Sequence, residues 1–383
     1  MERSNAKNRR TGFALWSIIT ILATFYPVSW KGGNTTAVYF DGAREAIEGK
    51  SPYQLNRPPE NNYNYSPAFA LLFAPLMVFG LKACIFIWAT INILVYWWGV
   101  FCWLPYDKGG FGLFWRIFLA MEINGPIVHG QINPLLVGIV LIGLDAYRGQ
   151  RWKSASAWLV TIANIKVIPA LFLGPTVVRA RGPFFRWAVL WTAALFFLPI
   201  PWFGWSGTIS LHREWVHFLL REGAGGAHGG CADIRNLFTK MGAPALGRVI
   251  YSIAALITVV ALFRPTKRAA LQWAPWIALG FAALLMLSPK TEVPTYVILA
   301  PPCALLAYYL KEHGASRFEK GALILAAFLI TFLHNDIWPK FIFRPDAFAA
   351  RGDYKMVGTI LVWLVACVEL WRGREKIEET GIT

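Results

Sequence analysis

The feature that most limits what this chain can become is a series of apolar stretches, each about one bilayer thickness long. Residues 12–30, 83–104, 187–205, 243–263 and 271–287 contain a single charged side chain among them, Arg248. A helix needs roughly 20 apolar residues to cross a hydrocarbon core. Inside a bilayer the backbone finds no water to bond, so each stretch is predicted to be a helix that satisfies its own amides. Composition agrees, since 56% of the 383 residues are hydrophobic and only 15% are charged, too apolar for a domain with a solvated surface. The predicted fold class is therefore an all-α polytopic membrane protein. It forms a single transmembrane domain over 1–383 with roughly 10–12 transmembrane or re-entrant helices. The first stretch contains Trp16, Phe25, Tyr26 and Trp30 and has no small-residue cleavage site, so it reads as a retained anchor and not a removed signal.

Positive charge in short loops marks the cytoplasmic side. The basic clusters are Arg3, Lys7, Arg9 and Arg10; Arg148, Arg151 and Lys153; Arg179, Arg181 and Arg186; Arg264, Lys267 and Arg268; Lys311, Arg317 and Lys320; and Arg372, Arg374 and Lys376. Placing all of them inside makes both termini cytoplasmic and turns 155–178 into a hairpin that enters and returns near Lys166 and Pro169. By the same parity 111–131 is expected to dip and come back before 132–147 crosses. Three segments then face the other side: 31–65, with a juxtamembrane helix, 206–242 and 335–355. The expected location is the plasma membrane, the inner membrane of a bacterium.

The formal net charge of +16 does not point to nucleic acid. The basic residues bracket helices and do not interleave with aromatics along one face, so membrane lipids with anionic headgroups are the natural partners. Cys84, Cys102, Cys303 and Cys367 lie in apolar spans and Cys231 stands alone outside them, so no disulfide is expected.

Around residues 38–53 the pattern predicts a short amphipathic helix, with Tyr39, Ala43, Ala46 and Ile47 on its apolar face, closed by a Gly-Lys-Ser-Pro turn. Asp41 on such a helix sits at the boundary of lipid and water, where a carboxylate can meet both a lipid-borne and a soluble group. Its structural alternatives are to cap the helix or to pair with Arg44. Polar residues inside apolar segments are the stronger signal, because lipid makes them expensive. Glu122 and Asn124 precede a break at 125–134 that contains His129, Gln131 and Asn133, with the glycines and prolines expected where backbone lines a cavity. Lys166, two residues after Asn164, falls at the tip of the predicted hairpin. It either binds an anion, snorkels to an interface, or pairs with Glu122.

His212, Glu214, His217, Arg221, His228, Asp233, Arg235 and Lys240 cluster in 206–242, but His212 and His217 are five apart and do not share a helix face. The His-Glu-x-x-His pattern of zinc hydrolases is absent. So are an Asp-x-Asp pair and the glycine-rich nucleotide loops. No cofactor is expected, and the chemistry is expected to be independent of metal.

Several short patterns recur in a telling order: Phe40-Asp41 with Gly49, Pro52 and Tyr53; Tyr65-Ser66-Pro67 leading into 71–76; Gly130-Gln131-Ile132-Asn133; Ile165-Lys166 with Pro169; Arg235-Asn236-Leu237; and Leu287-Ser288-Pro289. This arrangement resembles glycosyltransferase family 87, the polyprenol-phosphate-mannose-dependent mannosyltransferases of the polytopic C-type superfamily. The resemblance implies a sugar donor carried on polyprenyl phosphate, a lipid or glycan acceptor, inversion at the anomeric carbon, and an acidic catalytic base in the first outer loop, a position held here by Asp41. A lipid-phosphate sugar already carries a good leaving group, so one base for the acceptor hydroxyl suffices. Lys166, Arg235 and Lys290 are the cations available for the phosphate, and His129, Gln131, Asn133, Asn164, Tyr65 and Glu292 are candidates to line the cavity. The family pattern often places a histidine a few residues after Ser-Pro. Here Lys290, Thr291 and Glu292 follow Pro289 instead, so mannose stands only as the default sugar.

Two other classes compete. A transporter or flippase of lipid-linked glycans predicts related halves with paired broken helices, and the break at 125–134 has no counterpart in the second half. A membrane acyltransferase would use His129 or His334 as its base.

Overall fold

The computed structural model describes residues 2–31, 34–53, 62–167, 169–180, 182–224, 233–264, 272–288, 291–332 and 347–372, and every regular element among them is helical. Among the described residues six helical segments are long and apolar enough to cross a membrane: Asn8–Ser29, Pro67–Trp103, Gly110–Val128, Pro244–Phe263, Val293–Glu312 and Asp353–Arg372. Shorter apolar helices fill the space between them, as expected of an all-α polytopic membrane protein. The chain divides into two compact units, 1–228 and 229–383.

The first unit contains α1 (Glu2–Lys31), α2 (Asn34–Ile47), α3 (Pro67–Phe73), α4 (Gly80–Trp103), α5 (Gly110–Val128), α6 (Asn133–Arg148), α7 (Trp152–Ile165), α8 (Ala170–Ala180), α9 (Gly182–Phe197) and α10 (Ile200–Ala224). Helix α1 runs antiparallel to α4: Gly12 meets Tyr106 and Phe101 at one end, Trp97 Nε1 donates to Thr20 Oγ1 at 3.0 Å midway, and Phe25 packs on Phe86 at the other end. Helices α4 and α6 run parallel, in contact along Trp88 with Gly130, Asn92 with Leu135, and Trp103 with Leu141. Their backbones touch where Gly99 faces Gly138. A Cβ on Gly99 would lie 2.5 Å from the Gly138 carbonyl oxygen, and one on Gly138 2.5 Å from that of Val95. Every residue of α6 except Asp145 and Arg148 is buried, which makes it the central post of this unit.

The basic clusters collect where α6 ends. Arg148 and Arg151 each reach Asp145 at 2.7 Å, and Arg148 lies over Trp103 at 4.2 Å. Lys153 lies over Trp187 at 5.3 Å, while Tyr147 packs on Phe184 and donates to the Thr176 carbonyl. Arg116, buried in α5, stacks over Tyr106 at 4.9 Å and Trp16 at 5.8 Å. The segments 148–153 and 179–187 thus share one end, as a chain that goes up through α7 and returns through α8 requires.

Two expectations are corrected here. Segment 111–131 does not dip and return, because α5 is one continuous helix of 19 residues. Pro126 lies in its last turn, where it forgoes its own bond to the Glu122 carbonyl without ending the helix. Asn8–Ser29, Pro67–Trp103, α5 and the 16-residue α6 alternate in direction, which brings Arg148 back to the end where α1 begins without any dip. The stretch 187–205 is not one straight span, since α9 and α10 meet at 100° across a break at 198–199. Pro199 supplies no amide hydrogen there, its carbonyl accepts from Trp202 and Phe203, and Gly204 follows with φ 65°. The segment 206–242 is correspondingly helical over 206–224 and again over 234–240.

The second unit comprises α11 (Ile234–Lys240), α12 (Pro244–Phe263), α13 (Trp273–Leu287), the 3₁₀ segment Val293–Leu299, α14 (Ala300–Glu312), α15 (Arg317–Ala327) and α16 (Ala347–Arg372). Helix α13 is buried from Ala274 to Met286 and forms this unit's core with α16. Trp363 Nε1 ties α16 to Thr258 at 3.0 Å, and Trp276 Nε1 ties α13 to the Leu262 carbonyl at 3.3 Å. A Ser316–Glu319 capping box starts α15, and Arg372 bonds both Glu319 and Glu369. Cys84, Cys102, Cys303 and Cys367 are free; Cys231 lies outside the described residues.

Candidate functional site

At the end of the first unit opposite the basic clusters, three chain breaks converge. The first is the turn between α5 and α6. Helix α5 stops because Gly130 takes φ 70° and closes a Schellman turn, with Gly130 N donating to the Ile127 carbonyl and Gln131 N to that of Pro126. Pro134, in the first turn of α6, costs no hydrogen bond there. The turn carries His129 and Gln131, and Asn133 Nδ2 donates to Gln131 Oε1 at 2.6 Å.

The second break is the tip between α7 and α8, where Lys166 ends α7 in an extended conformation and donates from Nζ to Asn133 Oδ1 at 3.1 Å. Two residues earlier Asn164 Oδ1 accepts from Ser66 Oγ at 2.8 Å. Ser66 is also the N-cap of α3, accepting from Phe69 N, so this hydroxyl starts one helix and grips the end of another.

The third is α2. Its start is held by the first turn: Thr35 N donates to the His129 carbonyl and Thr36 Oγ1 to that of Gly130, which also takes Trp88 Nε1. Its apolar face buries Val38, Tyr39, Ala43 and Ala46. The Tyr39 ring meets Tyr65, Phe69, Phe73 and Trp88 edge-on, and its hydroxyl lies 3.1 Å from that of Tyr65. Tyr53 donates to the Tyr65 carbonyl at 2.7 Å. Burial pushes the phenols of Tyr39, Tyr53 and Tyr63 well above their ordinary range, so they remain neutral hydrogen-bonding groups at any physiological pH. Gly42 passes directly over the Tyr63 ring, where a Cβ would come within 2.4 Å.

Asp41 lies on the outer side of α2 with 47% of its side chain exposed, and Arg44 Nη2 donates to its Oδ1 at 2.8 Å. Pairing with Arg44 was one of the alternatives open in the sequence, and it is present. Beyond α2, Ser51 donates to Glu214 of α10 at 2.5 Å and Tyr53 packs on Phe218. The first unit therefore brings Tyr65, His129, Gln131, Asn133, Asn164 and Lys166 into one hydrogen-bonded end, with Asp41 on the helix docked there.

The remaining candidates belong to the second unit. Arg235 is engaged already, with Asp233 at 3.0 Å and the Tyr251 face at 4.8 Å. Glu292 is exposed and its carbonyl accepts from Thr295 N. Lys290 and His334 lie outside the described residues. The sequence reading missed Lys355, which is buried in α16 with its ammonium 5.7 Å from the Tyr296 ring. Its signal was a lysine at the edge of the apolar run that begins at Met356, read as a loop boundary. Among the described residues no three side chains from His, Cys, Asp and Glu come together as a metal site.

The family model for glycosyltransferase family 87 matches residues 63–289, more than half of the chain. No curated protein and no solved structure matches it. The matched region spans Tyr65, the 129–133 turn, Asn164, Lys166 and Arg235, and starts after Asp41. The chain belongs to glycosyltransferase family 87 and is a membrane glycosyltransferase.

Proposed function

We propose that this family 87 member transfers a sugar, mannose by default, from a polyprenyl-phosphate donor to a lipid or glycan acceptor with inversion of the anomeric carbon. The acceptor oxygen bonds to that carbon as the bond to the phosphate oxygen breaks, the acceptor proton passes to the Asp41 carboxylate, and polyprenyl phosphate leaves as the anion. One base suffices because the phosphate needs no protonation to depart. Arg44 occupies Oδ1 of Asp41, which leaves Oδ2 for the acceptor hydroxyl.

The observation that carries this reading is the convergence of α2, the 129–133 turn and the 164–166 tip. That end offers neutral hydroxyls and amides that can bond a sugar, together with one lysine positioned by Asn133. Lys166 is assigned to the donor phosphate, and the sequence offers Arg235 and Lys290 as further cations. His129, Gln131, Asn133, Asn164, Tyr65 and Glu292 are assigned to the substrate cavity. The basic clusters at the opposite end of the first unit support a cytoplasmic basic face and N-terminus with an extracytoplasmic site in the plasma membrane, and the basic residues at 311–320 and 372–376 favour a cytoplasmic C-terminus. Water there holds no nucleotide sugar, which favours a donor delivered on lipid and a reaction without metal.

The test is transfer by the full chain reconstituted with polyprenyl-phosphate sugars and a lipid acceptor. Wild type is expected to transfer and Asp41→Asn to be nearly inactive. Equal rates would remove Asp41 as the base, and activity abolished by a chelator would favour a metal-dependent route.

A further inference from the structure

Helix α9 packs on α7, and both run from the basic end toward the polar end. After Phe197 the chain turns by 100°, so α10 lies across that end and does not continue the span. Its sequence suits the position. Arg213, Glu214 and Arg221 make it too charged to cross a bilayer, yet one stripe of it is apolar and uncovered. Trp205, Ile209, Val216 and Leu220 are all exposed, and their spacing places them on one side of a helix. The stripe is about 22 Å long at 1.5 Å per residue. On the other side, Leu211 and Phe218 are buried and Glu214 bonds Ser51. The exposed stripe is continuous with the lipid-facing side of α9: Phe185, Val189 and Phe197 are exposed there, and Phe197 stacks on Trp205 at 5.5 Å. Arg213 is exposed within the stripe and Arg221 next to its end.

We propose that α10 is an in-plane helix that docks on the bilayer surface beside the polar end, with its apolar stripe among acyl chains and Arg213 and Arg221 on the phosphates of anionic lipids. Because Ser51 and Tyr53 are held by the opposite side of the same helix, lipid contact fixes the segment that follows α2. The occupant is the lipid surface itself, independent of which sugar the enzyme moves.

The experiment places a photo-crosslinking residue at Ile209, Val216, Leu220 or Ser210, one at a time. The full chain is held in nanodiscs of phosphatidylcholine with or without phosphatidylglycerol, and the adducts are weighed by mass spectrometry. Lipid adducts are expected at the three stripe positions and not at Ser210. Phosphatidylglycerol should exceed its share of the mixture by about fivefold for each arginine and fall back to that share when Arg213 and Arg221 are both changed to Gln. Absence of lipid adducts on the stripe, or adducts to a second copy of the chain in their place, overturns the docking. Phosphatidylglycerol at its mixture share in the wild type overturns the anionic preference.

Discussion

The two ends of the first unit are built from opposite materials. Where α6 ends, cations crowd together and each is settled locally: Arg148 and Arg151 on Asp145, Lys153 on Trp187, Arg116 over Tyr106 and Trp16. Where α6 begins, the bonds are mostly between neutral groups: Ser66 to Asn164, Asn133 to Gln131, Tyr39 to Tyr65, with Lys166 reaching Asn133. Exposed ion pairs such as those of Arg148 and Arg151 with Asp145 contribute little to stability. Lys166 is half-buried and reaches an amide oxygen, and a lysine at the tip of a membrane hairpin is a candidate for function. The difference teaches that the number of charges at an end says little about how they are bonded there.

Exchanging residues between the ends puts the contrast at risk. The largest effect is predicted for Asp41→Asn, a loss of transfer of about 10²–10⁴-fold in the reconstituted assay with binding of the donor unchanged. Lys166→Met should follow, with about 10–100-fold lower transfer, the scale of a lost charge-assisted hydrogen bond. Lys166→Arg should recover part of it, and failure of that recovery would assign the residue a packing role. Gly138→Val strikes between the two ends, where it forces α4 and α6 apart. It should cost about 1–3 kcal/mol, read as a lowered melting temperature in detergent. Glu214→Gln, which weakens the grip on Ser51, should change transfer by no more than about fivefold. Arg148→Gln with Arg151→Gln should leave transfer within about twofold, since isolated surface pairs are worth little. A tenfold loss from that pair would erase the distinction between the ends.

Much of this was legible in the residues. The apolar stretches marked the class, and the glycines and prolines at 125–134 and the lysine near Pro169 marked two of the three converging breaks. Tyr39, Ala43 and Ala46 showed the buried face of α2. What failed to show was continuity. Gly125 and Pro126 look like the start of a break, but a single proline forgoes only its own bond to the carbonyl four residues back, so α5 runs on to Val128 and Gly130 makes the stop. Pro199 and Pro201 sit in a run apolar enough to pass as one span, and hydropathy is blind to a right-angled bend. Lys355 was hidden for a related reason. A charge at the edge of an apolar run reads as its boundary, whereas packing against Tyr296 takes it inside. Asp41 remains an assignment from the resemblance, because the family match begins downstream of it.

The hairpin of α7 and α8 sets the level at which Lys166 is held. Its arms have 14 and 11 residues, about 21 and 17 Å at 1.5 Å per residue, against a hydrocarbon core of about 30 Å. Both feet stand at the end where Arg148 and Arg151 meet Asp145. Asn133, which accepts from Lys166, begins α6, whose 16 residues are about 24 Å long at 1.5 Å per residue, so the hairpin tip and the start of the central post share one level and a shift of either would carry the other with it.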